Sequence, residues 1–240
     1  MQLAACLREA GHVCSVLVAS MERDLARATR RLAPDLLALS CNTGEHRRAI
    51  GIIESLRDHV PGVPVIMGGP HASAWPQVVE HPAVDLVCRG EGERALVRLA
   101  DCLDTGGSVA GIPNLGFKSD SGVRLNPLGP LIDDLDSLPF PDKEVYARYE
   151  RFGMGLSYAV VLTGRGCPFD CSFCVNGFYR KLYEATSAEY VRRRTPENVI
   201  AEIEAMGRER EIRMVQFIDD TFTLQQGWLN AFLPLYKSRI

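Results

Sequence analysis

Apolar and polar residues alternate in blocks along the first hundred positions. Leu3, Cys6, Leu7 and Ala10 recur at helical spacing, and His12–Ala19 (HVCSVLVA) reads as a strand. Leu25, Ala28 and Leu32 repeat the helical period, and Asp35–Cys41 (DLLALSC) has the continuous apolar character of a buried strand. Ala49, Ile52, Ile53 and Leu56 mark an amphipathic helix. Val63–Met67 predicts the next strand, closed by the Gly68-Gly69-Pro70-His71 turn. Val84–Cys88 predicts another, closed by Arg89-Gly90, before a helix carrying Leu96, Leu99 and Leu103.

Short apolar strands separated by helices predict a parallel sheet covered on both faces, an α/β, Rossmann-like layer over residues 1–110. Such a layer normally opens with a central strand, whereas this chain opens in a helix. Met1 is therefore expected to be an internal methionine of a longer protein.

The pattern changes over 111–155. Pro113, Pro127, Pro130, Pro139 and Pro141 punctuate it, only Leu115–Lys118 looks strand-like, and IDDLDSLPFPD is acidic. This stretch reads as a proline-rich linker packed on the surface. A second unit is expected over 156–240. Tyr158–Thr163 (YAVVLT) is a strand, and Pro196 opens a helix after Thr195 with Val199, Ile200, Ile203 and Met206 on its buried face. Met214–Ile218 is a strand, and Gln225–Tyr236 a helix. This βαβα order opens a (βα) barrel, which repeats its unit about six or eight times. Only two units fit before Ile240.

Composition narrows the function. The 240 residues are 46% hydrophobic and 24% charged, an ordinary globular balance. A net charge of −3 gives no general pull toward nucleic acid or anionic membrane. No run is apolar enough to span a bilayer, and Arg8 and Glu9 interrupt the start where a secretion signal would be apolar. Eight cysteines in such a chain are expected as reduced thiols in the cytoplasm. Cys6, Cys14, Cys88 and Cys102 fall in apolar runs and read as core thiols, while Cys41 ends a strand. Arg192-Arg193-Arg194 reads as a solvated approach to the following helix, against a phosphate clamp.

Three thiols stand out. Cys167, Cys171 and Cys174 sit at x3 and x2 spacing in GRGCPFDCSFC, directly after a strand. Thiols so placed converge on a shared metal or cluster. Structural zinc and ordinary iron–sulfur clusters each take four protein ligands. Here all five histidines lie at or before His81, and the nearest other cysteine is Cys102. A three-cysteine set instead leaves one metal position open to substrate.

On the C-x3-C-x2-C motif, with Phe173 before its last cysteine, the chain resembles the radical S-adenosylmethionine (SAM) superfamily. The resemblance implies a [4Fe–4S] cluster on Cys167, Cys171 and Cys174, with SAM chelating the open iron and Phe173 near its adenine. The order LALSCNT, VIMGGPHAS, VDLVCRGEGE, IDDLDSLPFP and GRGCPFDCSFC is similar to the cobalamin-binding-domain branch along almost the whole chain. By position that branch implies cobalamin contacts from Ser40, Asn42, Thr43, Gly68, Gly69, Gly90 and Glu91, at the sheet edge where open α/β folds bind ligands. Tight turns that need glycine anyway would give the same pattern. FIDDTF resembles a stretch of the same branch, which implies SAM contacts for Asp219 and Asp220. A turn with Asp as a helix cap is the alternative.

The activity so implied is reductive cleavage of SAM and methyl transfer to an unactivated carbon of a small-molecule or peptide substrate. The electron would come from a donor such as flavodoxin or ferredoxin. A methylthiotransferase with a second cluster on N-terminal cysteines is one alternative; a cluster-binding fragment without turnover is another.

Overall fold

The computed structural model describes residues 1–152 and 158–240, the side chains of 150–152 excepted. The expected end of the linker and start of the second unit, residues 155–157, lie outside the described residues. The chain folds as two units, Met1–Pro130 and Leu131–Ile240.

The first unit opens with helices α1 (Gln2–Glu9) and α2 (Leu25–Leu32) and is built on a five-stranded sheet of order β1 (Leu37–Ser40), β2 (Val65–Gly68), β3 (Leu86–Cys88), β4 (Leu115–Ser119), β5 (Gly122–Leu125). Strands β1, β2 and β3 run parallel, in the register Ser40 to Gly68 and Met67 to Val87. Successive strand residues point to opposite faces, so each strand feeds two cores. Val65, Met67 and Val87 pack on one face with Ala49 and Ile53 of α3 (His46–Arg57) and Ala72 of α4 (Gly69–Ala74). Ile66, Leu86 and Cys88 pack on the other with Ala95, Leu96 and Leu99 of α5 (Glu93–Thr105). Val65, Met67, Ile53 and Leu99 are fully buried; each contributes about 1.5–3 kcal/mol by leaving water. The expected two-faced layer is present.

Four details differ from the sequence reading. His12–Ala19 is not a strand. Its residues have no ladder partner, because β1 forms hydrogen bonds only to β2. The segment is held near its start instead. His12 Nε2 sits 2.9 Å from Asp101 on α5, and Arg8 donates to the Cys14 carbonyl at 3.0 Å, while Val13 is exposed. For the same reason β1 is a half-exposed edge strand and not a buried one. The Gly68–His71 turn is a helix start: α4 begins at Gly69 with φ +86°. Finally, the stretch read as linker opens with a hairpin. β4 (Leu115–Ser119) and β5 (Gly122–Leu125) add to the sheet, β4 pairing antiparallel with β3. Its apolar residues Leu115 and Ile112 fill the α5 face.

In the second unit β6 (Tyr158–Val161) pairs parallel with β9 (Met214–Phe217). Between them lies α8 (Pro196–Glu209), whose N-cap Thr195 accepts from the Asn198 amide, as the Thr-Pro start predicts. Its expected face, Val199, Ile200, Ile203 and Met206, packs on Ala159 and Val161 with Phe232 of α9 (Gln226–Arg239). The remainder of the expected linker is part of this unit's interior. Ile132, Leu135, Val145 and Tyr149 are buried. Lys143 donates to Glu202 at 2.8 Å and to the Val160 carbonyl at 2.9 Å.

The three arginines are not solvated. Arg192 and Arg194 are buried. Arg194 pairs with the buried Glu202 and donates to Asn198 at 2.7 Å, and Arg192 donates to the Ile132 carbonyl at 2.9 Å. Burial of the Arg194 and Lys143 cations is offset by one shared carboxylate.

Candidate cluster loop and sheet-edge site

The cysteine loop does not follow β6 directly. Leu162 and Thr163 intervene, then the two-residue β7 (Gly164–Arg165), paired antiparallel with β8 (Arg192–Arg193). Gly164 is required there: a Cβ would lie 2.7 Å from the Arg192 carbonyl oxygen. Gly166, at φ +88°, approaches Tyr190 so closely that a Cβ would meet its carbonyl oxygen at 2.3 Å. Cys167 follows at once.

The loop is then stapled through its middle by Arg180 of α6 (Val175–Leu182). Arg180 donates to the Pro168 carbonyl and to Ser187 Oγ, both at 2.9 Å, and pairs with Asp170 at 2.5 Å. The Cys174 amide donates to the Cys171 carbonyl at 3.0 Å, and Cys174 caps α6. Cys171 is exposed, Cys167 and Cys174 are half-buried, and all three are free thiols. Phe173 is 91% exposed and Phe169 56% exposed, so two apolar rings stand in solvent beside the thiols.

Behind the loop, Thr163 and Asp219 join the ends of β6 and β9. Asp219 accepts from the Thr163 amide and hydroxyl. Arg193 donates to Thr163 Oγ1 at 2.8 Å and to the carbonyls of Thr221 and Phe222. Its guanidinium lies 4.9 Å from the Trp228 ring centre. Burial lowers the Arg193 pKa, and the Asp219 charge opposes that. Asp219 is thus buried and engaged, and does not cap a helix; Asp220 beside it is exposed.

In the first unit, Ser40, Gly68 and Gly90 end or follow three adjacent parallel strands, and the structure brings them to one edge. The Cys41 amide donates to the Gly68 carbonyl, and the Gly90 amide to Ser73 Oγ. Gly69 is used by the chain itself, since a Cβ would meet Ser40 Oγ at 2.6 Å. Asn42 and Thr43 are exposed in the loop after β1, and Asn42 donates to Glu45 at 3.4 Å. The Glu91 carbonyl accepts from Asn114 at 2.6 Å. His71 stacks on His46 with ring centres 4.3 Å apart. Burial, then the charge of His46, lowers its pKa.

Thr163, Arg193, Asn176, Arg180 and Tyr190 were not singled out by sequence reasoning as site residues. The arginine run was the one signal, and its periodicity did not say which of the three faces the loop.

Residues 1–100 match the model of the B12 binding domain, and residues 161–235 match that of the radical SAM superfamily. The chain belongs to the radical SAM proteins that carry a B12-binding domain. This B12-binding radical SAM protein is 32% identical to "Uncharacterized methyltransferase PH0819" of Pyrococcus horikoshii, over 85% of this chain and 43% of the relative. It is 27% identical to the anaerobic magnesium-protoporphyrin IX monomethyl ester cyclase of Rubrivivax gelatinosus, over 93% of this chain and 41% of that protein. Its fold matches the radical SAM methyltransferase TsrM of Kitasatospora setae, solved with cobalamin and a [4Fe-4S] cluster bound. The TM-score is 0.73 at 22% identity, covering 99% of this chain and 47% of TsrM. The B12-binding radical SAM chain thus spans less than half the length of each.

Among the described residues no three His, Cys, Asp or Glu side chains converge on a single ion. The three free thiols sit on one stapled loop, and cysteine thiolates are the donors that iron–sulfur clusters take. At the sheet edge, the buried His71 Nδ1 and Arg89 Nε have no hydrogen-bond partner, which fits a polar ligand there.

Proposed function

We propose that the chain is the cofactor-binding part of a cobalamin-dependent radical SAM methyltransferase. The three-thiol loop, with no other cysteine after Cys102 and no histidine after His81 in the sequence, carries this reading. Cys167, Cys171 and Cys174 would hold the [4Fe–4S] cluster beside SAM. When bound, the cluster would supply the electron for reductive cleavage of SAM, and cobalamin would carry the methyl group. Phe173, already exposed, offers a face for the adenine. Asp220 offers a carboxylate at the end of β9, and Asp219 fixes the strand end that presents it.

Ser40, Asn42, Thr43, Gly68, Gly69, Gly90 and Glu91 line the edge assigned to cobalamin. The methyl acceptor is an unactivated carbon of a small-molecule or peptide substrate. A low-potential carrier of the flavodoxin or ferredoxin class delivers the electron, in the cytoplasm. Eight free thiols and the absence, among the described residues, of a helix able to cross a membrane support that location.

The methylthiotransferase reading asks Cys41 and Cys88 to share a second cluster. They lie in cores on opposite faces of the sheet. Anaerobic reconstitution tests both: about four irons per chain and bound corrinoid are expected, and about eight irons without corrinoid would overturn the proposal.

A further inference from the structure

Asn176 is the second residue of α6, two positions after Cys174, and is 7% exposed. Its amide nitrogen lies 3.6 Å from the Cys174 sulfur, within donor range for sulfur. Its amide oxygen accepts from the Tyr190 hydroxyl at 3.1 Å. Tyr190 ends α7 (Ser187–Tyr190) and is 6% exposed. A thiolate only accepts, so the NH2 must face the sulfur; the tyrosine hydroxyl, on the other side, donates to the oxygen left over. The same tyrosine is the residue against which Gly166 packs. One buried ring therefore sets both the residue before Cys167 and the amide after Cys174.

We propose that Asn176, oriented by Tyr190, raises the reduction potential of the cluster held by the three cysteines through its hydrogen bond to the Cys174 sulfur. The inference rests on the cluster reading above. Reduction adds one electron from the external carrier to the cluster and breaks no bond. The added negative charge is shared with the thiolate sulfurs, and a donor aimed at one of them stabilises the reduced form more than the oxidised form. Burial of the amide strengthens this, because water does not screen it. Asn176 is thus a positioning and tuning residue that acts through Cys174.

The experiment is a redox titration of the reconstituted chain with dithionite, following the EPR signal of the reduced cluster. Asn176→Leu is expected to hold about four irons and to titrate at a more negative potential than the unaltered chain. Tyr190→Phe is expected to shift the same way by less, since the amide keeps its place but loses its orientation. Should Asn176→Leu hold no cluster, Tyr190→Phe alone decides. Variants that hold the cluster and titrate with the unaltered chain overturn the inference and leave the cluster reading standing, even if they melt earlier. An unaltered chain that takes up no cluster overturns both.

Discussion

Thr163 and Asp219 are joined by three hydrogen bonds. The Thr163 amide donates to the two carboxylate oxygens at 3.1 and 3.2 Å, and its hydroxyl donates to Oδ1 at 2.6 Å. This clamp closes the parallel pair of β6 and β9 on the side from which the cysteine loop leaves. Asp219→Ala leaves a buried amide and a hydroxyl short of their acceptor and removes the carboxylate 3.9 Å from the Arg193 cation. The expected loss is about 1–3 kcal/mol, with Asp219→Asn losing less because one acceptor remains. Urea unfolding followed by Trp228 fluorescence in a Trp75→Phe background measures it. An unchanged midpoint would show that the clamp does not bear on stability.

Glu202 is 2% exposed and faces two cations, Lys143 and Arg194. Glu202→Gln leaves both positive charges buried without a countercharge. Breaking such a network costs about 3–5 kcal/mol. Adding Lys143→Met is expected to restore part of the loss, because one orphaned charge goes with it. A double variant no more stable than the single would refute shared compensation.

Cys88 gives the first unit a pH dependence. Burial first, and the charge of Glu93 second, push its thiol from 9.0 up to about 12. Between those values the unfolded chain ionises and the native one does not. The stabilisation is full below the unfolded value and fades as pH rises toward the folded one. Each pH unit crossed removes about 1.4 kcal/mol. Cys88→Ala is expected to flatten the stability profile above about pH 9. Iodoacetamide should label Cys171 well before Cys88 in the native protein.

His71 acts in the opposite pH range. Its pKa is lowered from 6.5 by burial and then by His46. As pH falls through 6.5 the unfolded chain takes up the proton first, so stability falls with acidification. Thermal melts on either side of that value should show a smaller loss in His71→Gln than in the unaltered chain. Equal losses would mean that the stacked pair does not couple to folding.

Strand runs such as Val63–Met67 and the helix face Val199, Ile200, Ile203 and Met206 were legible because one local period matches one buried face. His12–Ala19 was not, because a strand exists only with a neighbour, and pairing is not a local property. The arginine run was misread for a related reason. Arg194 looks solvated in the sequence; only the fold sets it against Glu202 and brings Lys143 to the same carboxylate. At the candidate site, the cysteine spacing was visible in the sequence, and the structure keeps the three thiols on one stapled loop. The pairing of Asn176 with Tyr190 was not visible, since an asparagine and a tyrosine fourteen positions apart carry no pattern until two short helices bring them together.

The way residues 131–149 are sewn into the second unit fixes how the protein can be cut. Asp136 accepts from the Thr195 amide and hydroxyl at the start of α8. Ile132 receives Arg192, and Lys143 balances Glu202. A protease or a gene fragment that removed everything before residue 156 would therefore discard part of the interior along with the proline-rich sequence. A piece starting at Leu131 keeps those three attachments and coincides with the second compact unit.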